Sequence, residues 1–120
     1  MKVPLEYDEQ CALVEWLEIK GLKFTAIPNS TYTTSFNQKR RNYNSGLRKG
    51  FPDMIVIIPK EISSEGRTLM LCIEMKRVKG GVVAKEQKEW IKILNEVCDV
   101  QACVCKGCDE AVKLVESFIT

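Results

Sequence analysis

The run Leu69-Met70-Leu71-Cys72-Ile73 is apolar at every position. Alternate side chains of a β-strand point to opposite faces, so an unbroken apolar run belongs in a sheet covered on both sides. This strand is therefore central, and the chain must supply helices for both faces. A second run, Met54-Ile55-Val56-Ile57-Ile58, reads as another strand and is closed by Pro59.

Gln10, Leu13, Val14 and Leu17 recur at helical spacing and predict a helix from about Tyr7 to Lys20, ended by Gly21. Glu6 and Glu9 fall on its first turn, where the helix dipole favours carboxylates. Lys23 to Ile27 reads as a short strand, stopped by Pro28-Asn29. From Thr31 to Gly50 the chain is polar and poor in aliphatics, which predicts a long loop holding at most a broken helical turn. Lys60 to Arg67 is a connection, and Gly80-Gly81 is a break. Ala84 to Val97 predicts a helix with Gln87, Trp90, Ile91, Leu94 and Val97 on one stripe. A fourth strand, Val100 to Cys105, precedes a final helix opened by Asp109 or its neighbour, with Ala111, Val112, Val115, Phe118 and Ile119 turned inward. The order is αβββαβα, with no repeat or linker, so residues 1–120 are expected to form one domain.

The charged residues at the strand ends carry the chemistry. Asp53 follows Gly50-Phe51-Pro52 and opens one apolar run; Glu74 and Lys76 end the other. Glu74 and Lys76 share a strand face, with Met75 opposite. If the two strands are neighbours, two carboxylates and an ammonium meet at one end of the sheet. Glu74 extends the inward row of Met70 and Cys72, and a charge there must be paired or bind a metal. Such a group can hold a divalent cation against a phosphate and activate a water. A structural Glu74–Lys76 ion pair is the competing reading.

Other chemistries are narrowed by what the chain lacks. It has no histidine, which removes Ser-His-Asp and Cys-His catalysis and His-containing zinc sites. Six cysteines include Cys98, Cys103, Cys105 and Cys108, but they do not form two knuckles of the Cys-x-x-Cys kind, so buried packing thiols are favoured over a zinc site. No apolar stretch nears the ~20 residues of a membrane span, and the first residues run straight into charge, so a cytoplasmic protein without a leader is expected. A net charge of +2 decides nothing about partners, but its distribution does. Lys39, Arg40, Arg41, Arg48 and Lys49 fall in a stretch free of acids from Gln38 to Pro52, interleaved with Asn42, Asn44 and Ser45. That mixture suits a phosphate backbone.

Gly50-Phe51-Pro52-Asp53, Ile73-Glu74-Met75-Lys76, and Gln87 with Trp90 in the following helix together resemble the VRR-NUC family of the PD-(D/E)xK nuclease superfamily. The likeness spans nearly the whole chain and is similar to short, standalone bacterial and phage members. It implies a restriction-endonuclease-like αβββαβ core, a central mixed four-stranded sheet flanked by helices. It implies a DNA endonuclease dependent on Mg2+ or Mn2+, acting on branched or junction DNA as a homodimer in bacterial or phage-infected cytoplasm. Asp53, Glu74 and the main-chain carbonyl of Met75 would be metal ligands. Lys76 would orient or deprotonate the attacking water, and Gln87 would orient the strand or a water. Glu9 is taken as the first-helix catalytic acid, because it fits the family's by its distance to Gly21; helical geometry offers Glu6 as a rival, nearer the middle of the apolar stripe. Lys39, Arg40, Arg41, Arg48, Lys49, Lys79 and Lys85 would hold the DNA backbone. A non-catalytic nucleic-acid-binding module of the same fold, a thiolate-metal module and RNA cleavage are the alternatives.

Overall fold

The structure is a computed structural model that describes residues 2–28 and 35–120. Four strands form one sheet in the order β1-β2-β3-β4: β1 (Lys23–Ala26), β2 (Met54–Ile58), β3 (Leu69–Lys76) and β4 (Val100–Lys106). The first two pairings are antiparallel and β3–β4 is parallel, so the sheet is mixed. The all-apolar strand β3 is interior, as its sequence requires. Its odd positions, Leu69, Leu71, Ile73 and Met75, join Met54, Val56 and Ile58 of β2 and Cys105 of β4 in the core. Helices α1 (Glu6–Lys20) and α4 (Cys108–Ser117) cover that face with Leu13, Leu17, Ala111 and Val115, all fully buried. Burying side chains of this size is worth ~1.5–3 kcal/mol each, which makes this face the main source of stability.

α3 (Lys85–Leu94) lies against β4 and contributes nothing to the α1/α4 core. It is shorter than the apolar stripe suggested. Asn95 ends it, because its side chain is committed to the sheet: the amide donates to the Ala102 carbonyl at 2.9 Å and accepts from the Ala102 N–H at 2.8 Å. Val97 is accordingly outside the helix and exposed.

The second departure lies between β1 and β2. Phe36–Asn44 is a regular helix, α2, rather than a broken turn. Ser35 caps it by accepting a hydrogen bond from Gln38 N–H at 3.2 Å, and Gln38 donates to Asn42 one turn on. None of its residues is fully buried. The predicted loop from Thr31 to Thr34 and the Asn29 breaker lie outside the described residues. No described helix is long and apolar enough to cross a membrane.

Candidate metal centre

The antiparallel register of β2 on β3 sets Met54 opposite Ile73. One further step along both strands sets Asp53 opposite Glu74, and opposed residues share a face. Two acids 21 positions apart are thus brought together by strand pairing alone. The segment leading into Asp53 is fixed by Gly50, which has φ +100° and packs on α3. A Cβ there would sit 2.7 Å from the Glu86 backbone carbon. Pro52 is buried, so Asp53 is presented from a stiff, packed turn.

Asp53 uses one carboxylate oxygen, Oδ2, to accept the N–H of Met75 at 2.8 Å. That bond ties the start of β2 to the last residues of β3. Met75 buries its side chain in the core on the opposite face. Glu74 is only 2% exposed, and its Oε1 is buried with no hydrogen-bond partner. A bare buried carboxylate oxygen is costly, and this carboxylate sits among other acids. Glu6, from the first turn of α1, is the third: one oxygen each of Glu6, Asp53 and Glu74 lie within 4.8 Å of one another.

Burial, then the hydrogen-bonding contact and charge of Asp53, and last the charge of Glu6, push the Glu74 carboxyl up to about 9, despite the opposing pull of Lys76. Burial and Asp53 raise Glu6 as well, again against Lys76. Three acids packed this way repel until a proton or a cation joins them. Lys76, 9% exposed, approaches Glu74 Oε2 at 3.9 Å, an ionic contact too long for a hydrogen bond. A single ammonium cannot neutralise three carboxylates. Hard oxygen donors converging on one point are compatible with a divalent cation.

Not every residue singled out from sequence reaches this point. Glu9 is one turn from Glu6 but turns toward α4, where its Oε1 accepts the N–H of Cys108 at 2.8 Å. It caps the N-terminus of α4, and Glu6 occupies the place at the acid cluster. Gln87 is also engaged elsewhere: its Oε1 accepts the N–H of Ala84 at 2.8 Å, closing the first turn of α3. Sequence reasoning missed Arg77, whose guanidinium donates to the carbonyls of Val3 at 3.1 Å and Pro4 at 3.4 Å. It pins the segment that carries Glu6.

The basic residues are spread over α2, its following loop and α3. Lys39, Arg40 and Arg41 are exposed on α2, with Arg40 5.0 Å over the Phe36 ring. Arg48 is stacked 3.8 Å from the Tyr43 ring and donates to the Tyr43 and Leu47 carbonyls, which stiffens the loop. Lys49 faces Glu86 at 4.0 Å, and Lys85 faces Glu89 at 3.9 Å; Lys79 is exposed just after β3. The cysteines are all free, and no three thiols among the described residues come within metal-ligand reach of one another. Burial pushes the Cys105 thiol up to about 12, as expected of a packing residue.

Residues 2–109 match the family model of the VRR-NUC domain. The chain belongs to the VRR-NUC domain family. A solved structure described as a VRR_NUC domain protein is similar to it with a TM-score of 0.72 at 20% sequence identity. The likeness covers 99% of this chain and 91% of that one, so the two share a fold from end to end. No curated protein matches the chain. The VRR-NUC match takes in Glu6, the Gly50–Asp53 turn and the Glu74–Lys76 strand end, and so contains the whole acid cluster.

Proposed function

We propose that this VRR-NUC chain is a DNA endonuclease dependent on Mg2+ or Mn2+. The observation that carries the reading is the gathering of one carboxylate oxygen each of Glu6, Asp53 and Glu74 within 4.8 Å of one another, around a buried Glu74 that leaves its Oε1 without a hydrogen bond among the described residues. In this reading Glu6, Asp53 and Glu74 hold the cation, with the Met75 carbonyl as a further donor. When bound, the ion supplies Lewis-acid polarisation of the phosphate and activation of water.

The chain's own groups do the rest. Asp53 has one oxygen occupied by Met75 N–H, which fixes the carboxylate plane and leaves the other oxygen for the cation. Lys76 is held at the cluster by Glu74 and points its ammonium where negative charge builds on a phosphate, which it neutralises. Its long contact with Glu74 leaves it free to exchange that partner for a phosphate oxygen or a water. The stretch from Lys39 to Lys49, with Lys79 and Lys85, holds the sugar–phosphate backbone by charge. Family likeness supports branched or junction DNA as substrate, a homodimer as the active form and the cytoplasm as the place of action.

Cleavage of linear, flapped and four-way DNA with Mg2+ and with Mn2+ tests this. Nicking by the purified protein, lost in Asp53→Asn and Glu74→Gln while DNA binding persists, is the expected result. Binding without cleavage on every substrate would favour a non-catalytic module of the same fold.

A further inference from the structure

α2 and the loop after it face α3 across an open cleft of about 850 Å3. The volume lies in the range of small-ligand pockets, ~300–1,000 Å3. Its floor is aromatic and aliphatic: Trp90 and Ile93 from α3, Tyr43 and Leu47 from the opposite side. Tyr43 is 61% and Ile93 58% exposed, so the apolar surface is open to solvent. Trp90 is braced edge-on by Phe51, ring centroids 5.1 Å apart at 73°. Phe51 directly follows Gly50, which packs closely on the Glu86 backbone.

The two walls have opposite charge. The α2 side offers Lys39, Arg48 and Lys49, and the α3 side offers Glu86 and Glu89. The carboxylates meet lysines only at 3.9–4.0 Å in exposed pairs, which exchange readily for another donor. A ligand that suits this cleft is anionic along one edge, flat and apolar in the middle, and carries hydrogen-bond donors on the far edge. An unpaired nucleotide has that pattern: phosphate, stacking base, and the exocyclic amine of cytosine or adenine, which carboxylates accept.

We propose that this cleft receives unpaired nucleotides of a DNA strand and prefers bases that carry an exocyclic amine. The site rests on the nuclease reading for its purpose, since Lys49 lines the cleft and Asp53 follows four residues later. A strand seated there enters the acid cluster from its single-stranded side. The cleft's own role is recognition, and it needs no metal.

The test is a titration of Trp fluorescence in EDTA with short oligo-dC, oligo-dT, an abasic strand of equal length and a blunt duplex. Oligo-dC is expected to quench Trp90 and to bind about tenfold tighter than the abasic strand, the scale of stacking one base. Trp90→Phe should lose the quenching and leave only the unresponsive signal of Trp16. Glu89→Gln, on the exposed surface, should keep the fold and narrow the preference for oligo-dC over oligo-dT. Equal affinity for oligo-dC, oligo-dT and the abasic strand would overturn the proposal. So would a duplex that binds as tightly, or sedimentation showing Trp90 shielded between two copies of the chain. Metal-dependent cleavage without base preference sinks this inference alone, and base-selective quenching without any metal binding sinks the nuclease reading alone.

Discussion

Glu74→Gln should make the metal-free protein more stable at alkaline pH, because it removes a carboxylate that folding forces to stay protonated. Burial and the neighbouring acids raise Glu74 from near 4.5 in the unfolded chain to about 9 in the fold. Between those values the folded state keeps a proton that the unfolded state has released. Unfolding then releases a proton, and rising pH favours it. The contribution of Glu74 is thus fully present below about pH 4.5 and is lost progressively up to about pH 9. Each unit is worth ~1.4 kcal/mol, so going from about pH 5 to pH 8 sets a ceiling near 4 kcal/mol. Relaxation of the coupled acids and water entry bring the working expectation to about 2 kcal/mol. Urea unfolding of wild type and variant across this range, in EDTA, reads the difference directly. The gap should widen in favour of Glu74→Gln as pH rises, and saturating Mn2+ should reverse it by stabilising only the wild type. Parallel stability curves for the two proteins from pH 5 to pH 8 would refute the claim that Glu74 is a strained, uncompensated acid.

Three further outcomes follow from the packing. Gly50→Ala places a Cβ against the Glu86 backbone at positive φ, and should cost about 2 kcal/mol or more in thermal unfolding. Lys39→Ala with Arg40→Ala should weaken DNA binding and reduce the slope of log affinity against log salt by ~0.9 per lost phosphate contact; an unaltered slope would detach α2 from the backbone. Under native conditions a thiol reagent should modify exposed Cys98 first and leave buried Cys72 and Cys105 untouched until denaturant is added, as mass spectrometry can follow.

The parts of this architecture written in local pattern were readable from the chain. The apolar β3 had to be interior, and two strand-end acids had to meet once β2 and β3 paired, since register is set by which faces are buried. α2 was hidden because none of its side chains is fully buried and so no apolar period marks it; its signal was the Ser35-x-x-Gln38 cap, easily lost in a polar stretch. The distance to Gly21 pointed to Glu9, while the helical stripe pointed to Glu6, the acid that stands at the cluster. Both lie on one turn of α1, and the choice is made by Cys108, 99 residues from Glu9, whose free N–H captures it. Gln87 looked inward on the helical wheel, but its own helix start had an unsatisfied N–H closer to hand. Arg77 gave no sign of its role, because its partners are backbone carbonyls that any sequence would supply.

Mn2+ binding followed by electron paramagnetic resonance tests the acid cluster most directly, without relying on turnover or on knowing the substrate. Wild-type protein should take up the ion, with affinity falling sharply in Glu6→Gln, Asp53→Asn and Glu74→Gln and hardly at all in Glu9→Gln. Uptake unchanged by Glu74→Gln, or lost with Glu9→Gln alone, would place the ion elsewhere and contradict the centre described above.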